Sequence, residues 1–185
     1  MPPSELVTSR LRLRQWRDDD IDAFAAMSVD REVMRFFPSL MSRDQVETSV
    51  VRQQTFIADK GYGFWAVEEI GGGPFIGFCG IKDVLFDVPW LRAVEVGWRL
   101  ARAYWGKGYA TEAARASVAH GFGPLGLAEI IAFVVPDNRR SIAVCERLGM
   151  VRDPSRDFEH PWVPQGAVSV GGFAPRHHWV YALRK

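Results

Sequence analysis

The sequence predicts a single α/β domain built on a mixed sheet, and three observations lead to this fold class. The chain has 185 residues, 48% of them hydrophobic and 12% aromatic, which suits one domain with a sizeable core over residues 1–185. Strand-like runs joined by a glycine-rich turn, in the first half, are typical of antiparallel pairing. A strand–helix–strand crossover follows in the second half, and together they indicate a mixed sheet.

The first third of the chain predicts a strand followed by two helices. Residues 11–14 alternate apolar and basic side chains, as a short strand with one wet face would. Acidic residues 18–20 precede apolar residues at helical spacing. Ser42 and Gln45 fit a capping box, after which an apolar helical face continues to Ile57. The loop between the two helices is unusually apolar, with Met34, Phe36, Phe37 and Pro38.

The middle of the chain predicts three strands. Residues 64–68 and 75–81 are strand-like runs on either side of a Gly-Gly-Gly-Pro turn at 71–74, which is a hairpin signal. Residues 93–100 form a further strand. These three segments should pair in succession within one sheet.

The last part of the chain predicts alternating helices and strands. Residues 110–122 form a helix, and the continuous apolar run at 130–135 indicates a strand covered on both faces. A second helix over 138–148 ends at a glycine, and a final strand closes the chain at 179–183. Residues 152–176, rich in Pro, Gly and charge, predict a long loop of the functional or mobile kind.

Composition excludes several classes of function. With 23 basic and 22 acidic side chains the formal net charge is +1, so no global field attracts nucleic acid or an anionic membrane. The arginines at 10, 12, 14 and 17 are followed at once by acidic residues, which indicates a solvated surface. The first residues resemble no signal peptide and no run of about 18 apolar residues exists, so we expect a cytoplasmic protein without a membrane partner.

The cysteines and histidines predict neither a disulfide framework nor a metal site. Cys79 and Cys145 lie in apolar segments, as reduced core thiols do. His160, His177 and His178 share no metal-ligand spacing with a cysteine. We therefore expect no metal cofactor.

Residues 95–112 are the most informative stretch, because a predicted strand leads through a glycine-bearing turn directly into a helix. Glycines let backbone N–H groups turn inward, and the helix N-terminus adds free donors, which suits a phosphate or pyrophosphate. The alternative is a tight turn without a ligand. A P-loop is excluded because Gly108 follows Lys107, and a dinucleotide fingerprint because Thr111 replaces its third glycine.

The wider pattern resembles the GNAT acyltransferase superfamily. Residues 104–113, Tyr-Trp-Gly-Lys-Gly-Tyr-Ala-Thr-Glu-Ala, look like its coenzyme A pyrophosphate loop, and residues 138–150 look like its Asn-x-x-Ser helix. Residues 8–14 and 157–161 look like the RimJ/RimL ribosomal-protein N-terminal acetyltransferase branch, so the resemblance covers nearly the whole chain. Ala103 stands where the superfamily often has Gln or Arg, so one side-chain phosphate contact of the superfamily is not expected here.

The resemblance implies both a fold and an activity. The fold is a single GNAT domain with a mostly antiparallel mixed sheet, helices on both faces and a splayed central strand pair. The activity is direct transfer, in a ternary complex, of an acetyl group from acetyl-CoA to a primary amine of a protein N-terminus or a small molecule. Alternatives are a non-catalytic acyl-CoA sensor, a succinyl-CoA-using enzyme and a plain interaction module. Apolar loops and seven tryptophans also suggest a homodimer.

The resemblance also implies roles for particular residues. The strand backbone at 97–100 would pair with the pantetheine arm, and a backbone N–H near Trp98 would bind the thioester carbonyl. The pyrophosphate would lie on residues 105–111, and the Asn-x-x-Ser helix would meet the cofactor near its sulfur. The implied cofactor-binding residues are Gly97, Trp98, Arg99, Leu100, Trp105, Gly106, Lys107, Gly108, Tyr109, Ala110, Thr111, Asn138 and Ser141.

Two residues are candidates for proton transfer, since the amine must lose a proton and the leaving thiolate must gain one. Glu95 is the candidate base; alternatively it hydrogen-bonds backbone or orients the substrate ammonium. Ser141 is the candidate donor to the thiolate; alternatively it bonds the local helix backbone. Cys145 is not expected to act as a nucleophile, because the superfamily transfers the acyl group directly. The candidate acceptor-pocket residues, equally interpretable as core aromatics, are Phe36, Phe37 and Trp65.

Overall fold

A mixed sheet organises the chain, which the computed structural model describes over residues 5–88 and 93–185. The strands are β1 (Leu6–Val7), β2 (Leu11–Arg14), β3 (Phe64–Glu69), β4 (Phe75–Asp83), β5 (Val94–Leu100), β6 (Glu129–Val134), β7 (Val151–Arg152), β8 (Phe158–Glu159) and β9 (His177–Arg184). The helices are α1 (Asp20–Val29), α2 (Arg43–Lys60), α3 (Tyr109–Phe122) and α4 (Arg139–Arg147), with 3-10 turns at Arg102–Tyr104 and Pro154–Arg156. The longer elements follow the predicted order.

The strands are arranged in the order β1-β2-β3-β4-β5-β6-β9-β7, and β8 pairs with β9. β4 and β5 pair antiparallel without interruption, from Gly77 opposite Leu100 to Asp83 opposite Val94. β5 and β6 are parallel and pair only where Glu95 meets Ile131. The two strands therefore separate towards the C-terminal end of β5, and the predicted fold class, a mostly antiparallel mixed sheet with a splayed central pair, is confirmed.

Helices cover both faces of the sheet because side chains alternate along each strand. On one face, Phe78 of β4 packs against Phe24 of α1, with ring centroids 5.9 Å apart. On the other face, Trp65 of β3 packs edge-on against His120 of α3 at 5.7 Å. We call these the α1/α2 face and the α3 face. The alternation lets each β5 side chain be assigned to one of them.

The helix signals of the sequence are confirmed where they were strongest. Ser42 and Gln45 form the predicted capping box at the start of α2. The long-loop prediction for residues 152–176 is partly wrong, because β7, β8 and a 3-10 turn lie within it. Strands of two residues are too short to show a periodicity, so the sequence could not reveal them. The last strand also begins at His177, two residues before the predicted start.

One basic side chain predicted to lie on the surface is instead buried. Arg14 is 3% exposed and donates to both carboxylate oxygens of Asp20, each at 2.8 Å, and to Glu68 at 2.5 Å. The apolar–basic alternation of β2 suggested a wet face. The prediction of a solvated side chain is wrong at Arg14, because β2 lies inside the sheet, between β1 and β3, and two carboxylates balance the charge of the buried guanidinium.

Within residues 5–88 and 93–185, no helix is long and apolar enough to cross a membrane. The same ranges contain no group of three or more His, Cys, Asp or Glu side chains placed to hold a metal ion. Cys79 and Cys145 are both buried and free. Burial raises the pKa of each thiol to about 12, so neither is a thiolate at neutral pH.

Candidate active site

The separation of β5 from β6 opens a cavity of about 1700 Å³ that runs through the sheet. Its walls come from β5 and β6, the start of α3, the first turns of α4, the loop at 36–38 and the loop at 160–163. Most of the predicted cofactor residues line it: Gly97, Trp98, Arg99, Leu100, Trp105, Gly106, Gly108, Tyr109, Ala110, Thr111, Asn138 and Ser141. Lys107 does not line the cavity; its ammonium lies 5.1 Å from the ring centre of Tyr104.

The register of β4 and β5 divides the side chains of β5 between the two faces of the sheet. Arg99 is opposite Phe78, and Glu95 is opposite Lys82. Phe78 packs on α1, so Glu95, Gly97 and Arg99 share the α1/α2 face. Trp98 is opposite Cys79 and points to the α3 face. Arg99 was predicted to bind the cofactor. Its side chain points to the α1/α2 face, away from α3, so only its backbone lies on the side of the cleft where the cofactor was predicted.

The backbone of β5 presents donors to the cleft. The backbone N–H of Ala101 donates to the carbonyl of Ile76 in β4 at 2.9 Å. Because backbone groups alternate in direction along a strand, those of Arg99 and Gly97 also point towards β4. The intervening residues, Trp98 and Leu100, point towards β6, which has diverged. The carbonyl of Leu100 already has a hydrogen-bond partner, since it accepts the indole N–H of Trp105 at 2.8 Å. The N–H of Trp98 is therefore directed into the opening between the strands.

The loop before α3 is shaped to bind an anion. Gly106 and Gly108 adopt left-handed φ values of 78° and 80°, which side-chain-bearing residues rarely reach. Gly108 caps α3 without a side-chain hydrogen bond, and the first helical bond runs from Glu112 to Gly108 at 3.0 Å. The N–H groups that precede it have no intrahelical acceptor and lie at the positive end of the helix dipole. This is the geometry expected of a pyrophosphate cradle.

The N-terminal segment holds this loop in place through contacts at the edge of the cleft, which the sequence did not reveal. Arg10 donates to the carbonyl of Lys107 at 3.0 Å and forms an ion pair with Glu112 at 2.5 Å. Thr8 donates to the same carboxylate at 2.6 Å. Burial acts to raise the pKa of Glu112, but the hydrogen bonds from Thr8 and Arg10 outweigh it, and the net shift is downward. Glu112 is thus an ionised carboxylate whose charge is balanced by Arg10. We call these contacts of Thr8 and Arg10 with Glu112 and the Lys107 carbonyl the clamp.

Basic side chains surround the same end of the cleft. The guanidinium of Arg140 lies 4.5 Å from the ring centre of Trp105 and joins α4 to the glycine loop. Arg115 of α3 donates to the carbonyl of Arg147 at 2.9 Å. Besides Arg10, the described arginines that line the cleft on this side are Arg115, Arg139, Arg140 and Arg147. They supply the positive charge that a polyanionic ligand needs.

Glu95 lies half-buried in the cleft wall on the α1/α2 face. Burial raises its pKa to about 8, against a smaller opposing effect of the Lys82 charge. The ammonium of Lys82 is itself held over the ring of Phe56 at 4.8 Å. No side chain in the described ranges donates a hydrogen bond to the Glu95 carboxylate. A carboxylate with a pKa near neutrality is suited to accept a proton.

Asn138 and Ser141 lie together at the start of α4. Asn138 is the N-cap, and its side-chain oxygen accepts the backbone N–H of Ser141 at 3.2 Å. The Ser141 side chain is half-buried and lines the cleft. Cys145, one turn later, also lines the cleft, and its raised pKa keeps it a thiol at neutral pH.

The predicted acceptor residues do not all share one wall. Phe36 and Phe37 line the cleft on the α1/α2 face, and Phe37 lies over the guanidinium of Arg99 at 4.1 Å. Trp65 is 0% exposed and packs against His120 on the α3 face, so it belongs to the core and not to the acceptor wall. The alternation of β3 places it there, because Phe64, one residue earlier, faces the cleft.

The tail contributes residues to an aromatic wall of the cleft that was not predicted from the sequence. The ring of His160 lies tilted against Phe86 at 4.5 Å and is 5.3 Å from His178, both as ring-centre distances. Burial lowers the pKa of His178 to about 4, so its ring is neutral at pH 7. Trp162 completes this wall. The one sequence signal was the length of the 152–176 segment, because loops of this length are often functional.

The fold and this cleft define a class of protein: a transferase whose divided sheet and glycine loop are built for an acyl-CoA donor. The chain belongs to the GNAT acetyltransferase family, because the model of the "Acetyltransferase (GNAT) domain" matches residues 10–151. It is accordingly an acyl-CoA-dependent N-acetyltransferase.

Two relatives from Bacillus subtilis (strain 168) are similar over most of the chain. Uncharacterized protein YkkB is 37% identical over 150 residues, 80% of this chain and 85% of that protein. Uncharacterized N-acetyltransferase YoaA is 30% identical over 151 residues, 80% and 83% respectively.

Solved structures share the fold. A GNAT-family acetyltransferase from Bacillus anthracis has a TM-score of 0.78 and 24% identity, covering 98% of both chains. RimL, named as a ribosomal α-N-protein acetyltransferase in complex with coenzyme A, has a TM-score of 0.73 and 15% identity, also covering 98% of both chains. At these identities the likeness concerns the fold alone.

Proposed function

We propose that this protein transfers an acetyl group from acetyl-CoA directly to a primary amine, with both substrates bound in one cleft. The observation that carries the proposal is the coincidence of three features at the β5–β6 opening. These are the glycine cradle at Gly106 and Gly108, the inward N–H of Trp98, and the raised pKa of Glu95. A sensor without catalysis would need the cradle but not the cleft-facing base.

The residues present fit acetyl-CoA. The left-handed glycines and free N–H groups of α3 would hold the pyrophosphate, and the arginines around Trp105 would hold further phosphate charge. The backbone of residues 97–100 and the side chain of Asn138 would line the pantetheine arm. When bound, acetyl-CoA supplies an acyl group activated as a thioester.

Groups from both faces of the sheet would take part in the transfer. Glu95 would take the proton that the amine loses, directly or through a water molecule. The N–H of Trp98 would stabilise negative charge as it develops on the acyl oxygen. Ser141 would donate a hydrogen bond to the departing sulfur. Phe36, Phe37 and the His160 wall would confine the acceptor.

The type of amine acceptor and the identity of the acyl donor are also part of the proposal. The RimJ/RimL-like segments favour an α-amine as acceptor, either of a protein N-terminus or of a small molecule. RimL itself is named as acting on a ribosomal protein, but its 15% identity carries no substrate to this chain. Succinyl-CoA is the alternative donor, and the homodimer stays a prediction.

The proposal is tested by titrating the purified protein with acetyl-CoA in a calorimeter. A Gly106→Asp/Gly108→Asp variant should lose binding, because it introduces charge and side chains into the cradle. A Gly71→Asp/Gly72→Asp variant is the matched control, since those glycines also have positive φ, at 100° and 84°, but lie in the exposed β3–β4 turn. Release of free thiol from acetyl-CoA with a panel of amines then reports turnover. A wild-type protein that binds neither acetyl-CoA nor succinyl-CoA would overturn the proposal.

A further inference from the structure

The guanidinium of Arg99 lies in the acceptor side of the cleft without a carboxylate partner. Arg99 lines the cavity and is half-buried. Its Nε atom is completely buried and, among the described residues, has no hydrogen-bond partner. Its only polar contact there is a long one, from an η nitrogen to the sulfur of Met41 at 3.8 Å.

Other buried or half-buried arginines in the described part of the chain are paired with carboxylates. Arg14 is bonded to Asp20 and Glu68, and Arg152 forms an ion pair with Asp157 at 2.5 Å. The undescribed segments, 1–4 and 89–92, contain no Asp or Glu that could pair with Arg99. Burying a charge without a counter-charge costs folding free energy, so an unpaired buried cation at this position indicates a function other than stabilising the fold.

The environment of Arg99 holds it charged and oriented. Burial lowers its pKa to about 10, which leaves the guanidinium protonated at neutral pH. The rings of Phe37, at 4.1 Å, and Phe78, at 5.2 Å, contact the guanidinium and restrict its rotation. A guanidinium held in this way keeps its N–H groups for a planar anion such as a carboxylate.

Arg99 shares its face of β5 with the proposed base. Glu95 is four residues earlier on the same strand, which separates the two Cα atoms by about 13 Å at about 3.3 Å per residue. The residue between them on this face is Gly97, and the ring of Phe64 lies against it, in the space that a side chain would otherwise take. Glu95, Phe64 and Arg99 all line the same cleft. A ligand lying along this wall can thus reach both side chains.

We propose that Arg99 binds a carboxylate of the acceptor, so that the preferred acceptor is an amine carrying a carboxylate at its other end. This inference rests on the proposed acetyl transfer. The acceptor, and not the acyl donor, is the source of the carboxylate because Arg99 lies on the α1/α2 face, against the loop that carries Phe37. The donor cradle at α3 lies on the other face.

The test compares acceptors that differ only in the carboxylate. Amino acids of increasing length, from glycine to 6-aminohexanoate, are assayed beside their amides with acetyl-CoA. For the best length, the wild type should prefer the carboxylate by roughly 10- to 100-fold in kcat/KM, the range expected of one charged hydrogen-bonded pair. Arg99→Gln should reduce this ratio to near one, and Arg99→Lys should retain part of it.

Arg102→Gln is the matched control, because Arg102 is an exposed arginine three residues away that does not line the cleft. Its selectivity ratio should equal that of the wild type. Thermal unfolding adds a second readout: removing an unpaired cation should leave the melting temperature of Arg99→Gln unchanged or raised, whereas a structural arginine would lower it.

The failures can be told apart. If the wild type acetylates carboxylates and amides equally, or if Arg99→Gln keeps the preference, the inference is overturned while acetyl transfer stands. If Arg99→Gln changes the ratio of succinyl-CoA to acetyl-CoA use and not the acceptor ratio, the carboxylate belongs to the donor and the inference is also overturned. If no amine releases thiol from acetyl-CoA, the proposed function itself fails.

Discussion

At the scale of single residues, the proposed proton transfer depends on how burial and charge act on Glu95. An ordinary glutamate with a pKa near 4.5 is too weak a base to compete for an ammonium proton. Burial raises the pKa of Glu95 to about 8, and Lys82 on the neighbouring strand limits the rise. The same carboxylate is thus a stronger base than its exposed counterparts, yet still ionises in the physiological range.

This shift predicts the pH dependence of the reaction. The base must be deprotonated to accept a proton, so kcat/KM should rise with pH and level off above about pH 8. Glu95→Gln should lower kcat by roughly 100-fold or more and remove this limb of the profile. Glu47→Gln, at an exposed carboxylate on α2, is the control and should follow the wild type. An unchanged profile in Glu95→Gln would assign Glu95 to the structural alternative.

At the scale of elements, the start of α3 depends on a contact from β2 and its preceding turn. Arg10 holds the Lys107 carbonyl and neutralises Glu112, which would otherwise place a negative charge in the first turn of the helix beside the proposed phosphates. The cradle therefore combines a local glycine conformation with a long-range clamp. The glycines were visible in the sequence, whereas the clamp spans about one hundred residues of chain.

The clamp predicts a binding effect at a residue outside the cofactor loop. Arg10→Gln should weaken acetyl-CoA binding by about 10-fold, because a charged hydrogen bond is lost and Glu112 is left uncompensated near the phosphates. Arg12→Gln is the control, since Arg12 is half-exposed two residues away and pairs with Glu68 at 3.8 Å instead. Calorimetric titration of both variants gives the comparison. Equal affinities for both variants would show that the clamp does not support the cradle.

Elements with a strong periodicity were predicted well from the sequence, and so was the glycine loop. α2, with its capping box, and the hairpin of β3 and β4 agree within a few residues, since their signals are local. β1, β7 and β8 were missed because their pairing partners, and not their two-residue sequences, define them. The order of the longer helices and strands was enough to predict the fold class, because leaving out these three short strands does not change that order.

Side-chain positions in the cleft were less predictable because they depend on register. Trp65 and Phe64 are equally aromatic in the sequence, but one residue of strand phase sends the first to the core and the second to the cleft. Arg99 is likewise turned to the α1/α2 face by its pairing with Phe78. His160 and His178 come together only because β8 pairs with β9.

At the scale of the whole molecule, the sheet is divided into two parts at the site. β1 to β5 form one part and β6, β9 and β7 the other, with direct strand pairing between them at Glu95 and Ile131. α3 packs against both parts, since it meets β4 and β5 and also β6. A ligand that fills the opening adds contacts to both parts and takes the place of the missing strand pairing.

This arrangement predicts a large stabilisation by the proposed donor. At a concentration 100 times its Kd, a ligand that binds only the folded state adds about 2.7 kcal/mol to the free energy of unfolding. For a chain of this size that corresponds to a rise in melting temperature of roughly 5–11 °C. Acetyl-CoA should produce it in the wild type, measured by thermal unfolding, and should not in Gly106→Asp/Gly108→Asp. Since the ligand spans the opening, hydrogen exchange should slow on both sides, in β5 and in β6. Protection confined to the α3 loop would mean that the donor occupies the cradle without entering the divided sheet, and the acyl group would then lie too far from Glu95 for transfer.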